Sequence, residues 1–192
     1  MYGLVNKAIQ DLVLSSCGED VWLRVKEKAG FTAPEFIELT NYDDNLTFSL
    51  VTIASQELNI PAERILFDFG RHWILYTGRE GWDSLFSLGG DSVKAFLTDL
   101  DNLHARVQVA MSEARMPRFS VYEKDDGFEV QYRSDRDGLA PMVAGMLNGL
   151  AERFNEEWEV DHTKFRAQQG FDTFRLRQVQ CSTGDGLVIN AA

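Results

Sequence analysis

The chain has 192 residues, 19 basic and 30 acidic side chains, and a formal charge of −11, which excludes the cationic footprint needed to hold a phosphate backbone. With 44% apolar and 11% aromatic residues it can build a sizeable core, and wholesale disorder is excluded. Its two cysteines, Cys17 and Cys181, form neither a disulfide framework nor a CxxC zinc signature, and suit a reducing cytoplasm.

The opening MYGLVNKAIQDLVLSSC lacks a basic start, a continuous apolar run and a small-residue cleavage site, so no targeting signal is expected. No stretch approaches the roughly 18 apolar residues of a membrane span. A soluble, acidic protein is expected, docking to protein rather than to membrane. Leu4, Val5, Ala8, Ile9, Leu12 and Val13 form one helical stripe. A second short helix carries Val21, Trp22, Val25 and Ala29 and is stopped by Gly30, as a C′ glycine does. Asp43 and Asp44 stand where a helix N-terminus favours negative charge, ahead of Leu46, Leu50, Ile53, Ala54 and Leu58. Pro61 fits the first turn of a helix running through Ile65, Leu66, Phe69, Trp73 and Tyr76. After the breaks GREGW and LGGD, a further helix is predicted from about Ser92 to Ala110.

The pattern changes near residue 115. Arg118 to Tyr122 and Phe128 to Tyr132 read as strands around the polar turn KDDG. Leu139 to Phe154 reads as a helix, and strands follow at Trp158 to Phe165 and Phe174 to Val179. The predicted class is α+β: a helical N-terminal lobe, then an antiparallel sheet with one inserted helix.

On the helix ending at Ala110, positions 97, 100, 104 and 107 form one stripe, so His104 points where Leu97, Leu100 and Val107 point. It is either a satisfied core histidine or an axial ligand to haem iron, since imidazole in an apolar pocket holds that metal. One histidine does not decide, because haem also needs an anion site for its two carboxylates. Such a site is offered by Tyr132-Arg133-Ser134-Asp135-Arg136. In a strand, positions 132, 134 and 136 share a face and would align a phenol, a hydroxyl and a guanidinium fork. The bland alternative is a surface arginine paired to Asp135 or Asp137.

Together, MYGLVNKAIQDLV, LDNLH ending in His104, Pro117 and YRSDR closely resemble the haem nitric oxide/oxygen-binding (H-NOX) domain. That gas sensor occurs as bacterial stand-alone proteins and at the N-terminus of soluble guanylate cyclase subunits. The resemblance implies a single haem-binding domain over residues 1–185, with a helical lobe over about 1–60, a haem-cradling lobe over about 61–185 and a tail at 186–192. It implies one b-type haem (protoporphyrin IX iron), in agreement with the lack of CxxCH. By the same resemblance His104 is the proximal iron ligand, with Leu100 one turn away. Tyr132, Ser134 and Arg136 clamp the propionates, and Pro117 presses on the porphyrin.

Family members that hold O2 resemble one another in a distal tyrosine on the helix after YxSxR. Here GLAPMVAGML (138–147) has no tyrosine, histidine, glutamine or asparagine. Met142, Trp73 and Val5 are expected on the distal face instead. An apolar pocket favours nitric oxide and CO over O2, because bound O2 needs a hydrogen-bond donor. Trp73, with its indole N–H, and Tyr76 are the candidate donors that would support an O2 sensor. The expected response is release or movement of His104, signalling in trans to a histidine kinase, a diguanylate cyclase or phosphodiesterase, or a cyclase. No GxSxG, HExxH or P-loop is present, so no enzyme is expected. The rivals are a peroxidase using Arg71 or His72, and a haem storage protein. The cysteine-histidine zinc site of some relatives is expected to be absent, since only His162 and Cys181 stand in that region.

Overall fold

The computed structural model describes residues 1–77 and 89–179. The break GREGW, Cys181 and the tail 186–192 lie outside the described residues. The α+β class is observed. Helices α1 (Gly3–Cys17), α2 (Glu19–Lys28), α3 (Asp44–Leu58) and α4 (Ala62–His72) come first, and α5 (Val93–Ala110) follows. Strands β1 (Arg118–Lys124) and β2 (Gly127–Arg133) lead into α6 (Ala140–Phe154), then β3 (Trp158–Lys164), the single turn α7 (Arg166–Gln169) and β4 (Asp172–Gln178). Among the described residues no helix is long and apolar enough to cross a membrane.

Local chemistry sets the ends. Asp43 caps α3 by accepting from Asn45 N–H at 2.8 Å, and Ser92 caps α5 by accepting from Ala95 N–H at 3.2 Å. Pro61 is the residue before α4 rather than inside its first turn. The helix predicted through Tyr76 stays α-helical only to His72, and Trp73–Thr77 form a π-helical turn. Periodicity does not distinguish these two forms over one turn.

The sheet order is β1-β2-β4-β3, every neighbour antiparallel. Val130 faces Phe174 and Phe128 faces Leu176 in register, and all four are buried. With Phe96, Leu97, Leu100, Leu147 and Leu150 they form the core between the sheet and helices α5 and α6, each such side chain contributing about 1.5–3 kcal/mol. A second core joins α1 to α4 around Ile9, Val25, Leu50 and Phe69. Trp73 packs against both.

Helices α4 and α6 cross at backbone contact. A Cβ on Gly70 would stand 2.0 Å from the Met142 carbonyl oxygen, and one on Gly145 1.9 Å from that of Phe67. Only glycine permits this approach. It fixes Met142 of α6 beside the π turn that carries Trp73.

Candidate functional site

Between the two cores lies a cavity of about 270 Å³ with an almost wholly apolar lining. The residues expected to hold the cofactor line it: Val5, Trp73, Leu100, His104, Pro117, Tyr132, Ser134, Arg136 and Met142. Tyr76 does not. It is exposed and stacks on His72 at 4.8 Å. Arg71, exposed and paired with Glu152, and His72 do not line it either, so neither residue named for the peroxidase arrangement stands at this cavity.

His104 projects from α5. Its Nδ1 is buried without a hydrogen-bond partner, so the ring is not fully satisfied as a core histidine would be. A buried polar atom left unpaired costs about 1–3 kcal/mol, and a ligand that takes up the imidazole removes that cost. Burial pushes the imidazole below its usual range, partly offset by the Asp101 carboxylate and the Pro117 backbone. The ring is therefore kept neutral and able to donate a lone pair. It packs against Phe119 of β1 at 6.0 Å, and Phe119 packs on Tyr132 at 5.4 Å.

The second group reaches the cavity by another route than expected. Strand β2 stops at Arg133, so Ser134 and Arg136 are not on a strand face. They lie in a turn in which Arg136 N–H donates to Ser134 Oγ at 3.1 Å. Tyr132 alone uses the strand alternation, pointing inward with Val130 and Phe128. Burial raises the Tyr132 phenol above its usual range, so it is a neutral donor at pH 7. The neighbours Asp135 and Asp137 do not hold Arg136. Its Nε and Nη2 reach Asp44 at 2.9 and 3.1 Å, and Nη1 donates to the Arg115 carbonyl at 3.0 Å. Arg115 also pairs with Asp44.

Asp44, Arg115 and Phe119 are site residues that sequence reading missed. Asp44 carried a sufficient explanation as a helix N-terminal acid, and nothing local marks a partner 92 positions away.

A further part of the lining comes from α1, the π turn and α6. Leu4, Val5, Ile74, Met142, Val143 and Met146 make it apolar, and Trp73 is its one N–H donor among the described residues. Among the described residues no group of three His, Cys, Asp or Glu could hold a metal ion, and His162 instead bonds Asp172.

An imidazole whose buried Nδ1 lacks a partner, in an apolar cavity with hydroxyls and a guanidinium at one rim, suits a haem-binding domain better than a hydrolytic centre. Comparison gives the same class: residues 2–162 match the family profile described as Haem-NO-binding. The chain belongs to this family of haem-based gas-sensing domains, which sense rather than catalyse. It is 33% identical over 156 residues to soluble guanylate cyclase gcy-34 of Caenorhabditis elegans, covering 79% of this chain and 23% of that protein. With gcy-35 of the same organism it shares 29% over 183 residues, 93% of this chain and 27% of that one. The chain thus spans about a quarter of these relatives. The fold matches an H-NOX protein from S. oneidensis in the Fe(II) state, TM-score 0.85 at 20% identity, covering 93% of this chain and 96% of that one. The Fe(II)NO state of an H-NOX protein from S. oneidensis gives 0.81 at 21% identity, covering 93% and 100%.

Proposed function

We propose that this chain is a sensor that binds nitric oxide, and CO, on a b-type haem, discriminates against O2, and signals in trans through release or movement of His104. When bound, the haem supplies a ferrous iron able to take a diatomic gas. The residues of the chain do the rest. His104 offers the proximal imidazole, with Leu100 and Pro117 beside it. Tyr132, Ser134 and Arg136 offer donors to carboxylates. Leu4, Val5, Met142, Val143 and Met146 keep water and acceptor groups from the distal side.

The apolar wall from α1, the π turn and α6 carries the selectivity reading. Bound O2 draws negative charge and requires a donor, whereas NO does not. Trp73 favours the second reading, an O2 sensor, because among the described residues its indole is the one side-chain N–H on that wall. Absorption spectra of the reduced protein under argon, air and NO decide between them. A five-coordinate ferrous spectrum unchanged by air and shifted by NO is expected; a stable oxy spectrum in air overturns the selectivity.

The linker after α5 supports the signalling reading. Asn41 Nδ2 donates to Glu113 Oε2 at 3.2 Å, Glu113 N–H donates to Tyr2 Oη at 3.3 Å, and Arg115 pairs with Asp44. A shift of His104 and its helix therefore pulls on the N-terminal helices directly. The partner is a kinase, a cyclase or a cyclic-dinucleotide enzyme of the cytoplasm, and the charge of −11 favours a basic docking face on it.

A further inference from the structure

The turn that presents Ser134 and Arg136 has a support of its own, and it comes from α7, the short turn between β3 and β4. Residues 134–138 leave β2 without a strand partner, so their carbonyls need donors from elsewhere. Arg166 supplies them. Its Nη1 donates to the carbonyl oxygens of Ser134 and of Arg136, the latter at 3.0 Å, and its Nε meets Asp137 at 2.9 Å. Asp137 is 83% exposed, so that ion pair counts for little. The two carbonyl bonds are charge-assisted and hold the turn at both ends.

Arg166 is itself placed by an irregularity in β3. His162 pairs with Phe174 but Lys164 pairs with Thr173, so the strand carries one extra residue at Thr163. Such a bulge redirects the side chains next to it. The His162 ring stacks on Phe174 at 4.7 Å, and its Nε2 lies 2.9 Å from Asp172 Oδ1. The same oxygen accepts the Arg166 backbone N–H at 3.0 Å. Asp172 is 7% exposed and stands opposite Tyr132 in the β2–β4 register. One buried carboxylate thus fixes the start of the short turn from which Arg166 reaches across.

We propose that Arg166 is a positioning residue for the haem carboxylates: it locks residues 134–136 so that the Ser134 hydroxyl and the Arg136 guanidinium face the cavity, with the His162–Asp172 pair as its anchor. The ligand in this assignment rests on the haem reading above; the locking of the turn does not.

Two measurements on Arg166→Gln test it. Amide hydrogen exchange in the haem-free protein reports the turn alone, and an increase of about tenfold confined to residues 134–138 is expected for the loss of charge-assisted bonds. Transfer of haem to apomyoglobin reports the clamp, and is expected to accelerate about tenfold. The dimethyl ester of haem, which lacks carboxylates, is expected to leave variant and wild type at equal rates; a merely structural role would accelerate both cofactors alike. Unchanged exchange at 134–138, or equal acceleration for the ester, overturns the proposal. Failure of the wild type to bind haem would overturn the haem reading while the exchange measurement still decides the locking role. Should Arg166→Gln not fold, Arg166→Lys decides, because it keeps the charge but loses the fork. A smaller rise in the same segment is expected, and none overturns the proposal.

Discussion

The Asp44 carboxylate, on the first turn of α3, receives both Nε and Nη2 of Arg136, at 2.9 and 3.1 Å, across 92 positions of sequence. One bidentate pair thereby joins the helical core to the rim of the cavity. Burial, the largest single influence, would raise the Asp44 carboxyl; the Arg136 guanidinium and the Met1 ammonium, 2.6 Å from Oδ1, together outweigh it and hold the group at about 2.

That pair gives a pH dependence with a definite sign. The carboxyl titrates lower in the folded chain than its ordinary value of 3.8. Its stabilisation is present above about pH 4 and is lost as pH falls toward 2. After solvent screening it amounts to about 1–2 kcal/mol. Denaturant titrations at pH 6 and pH 3 are expected to show a smaller loss of stability on acidification for Asp44→Asn than for the wild type.

Substituting His104 by glycine removes the imidazole while leaving the cavity open. Haem retention is expected to fall sharply and to return on addition of free imidazole, read from the Soret band. A His104→Gly protein that loads haem unaided and still switches a partner on NO addition would remove the histidine from the signalling step.

Trp73 decides how apolar the distal wall is in practice. Trp73→Phe is expected to leave NO binding intact and O2 binding undetectable, as in the wild type. A wild-type oxy complex whose O2 dissociation accelerates in the variant would show that the indole donates.

Gly145 sits where α6 touches the Phe67 carbonyl, and an added Cβ would stand 1.9 Å from it. Gly145→Ala forces the two helices apart, and a loss of about 1–3 kcal/mol is expected in thermal or denaturant unfolding. Because α6 also carries Met142 and Met146 to the cavity, the bound-CO stretching band is expected to broaden in the same variant.

The linker beyond α5 predicts a coupling defect rather than a binding defect. Asn41→Ala and Glu113→Ala remove the 3.2 Å bond between them, and both are exposed at the surface. NO affinity is expected to stay unchanged while the NO-dependent response of the partner weakens. An unchanged response in both variants would remove this linker from the signalling route.

Much of this was legible in sequence because it is periodic. The amphipathic stripes located α1 to α6 within a few residues. The stripe 97, 100, 104, 107 aimed His104 correctly, since side-chain direction on a helix follows from spacing alone. What escaped depends on long-range partners or on departures from regular geometry. Ser134 and Arg136 were assigned to the cavity on a strand argument, yet the strand ends at Arg133 and a turn held by Arg166 does the aiming. Asp44 and Arg166 gave no local signal, because an exposed-looking charge in sequence is silent about which distant group it meets. The bulge at Thr163 and the π turn at Trp73 each insert a residue, and neither has a marker in composition.

The π turn has one more consequence. Within Trp73–Thr77 the backbone accommodates one residue more than an α-helical turn does. Deleting a single residue there would close the π turn to an α-helical one and carry side chains within it about 100° round the axis. A different side chain would then face the cavity in place of Ile74. The ligand preference of this wall can thus change by the gain or loss of one codon, with no amino acid exchanged for another.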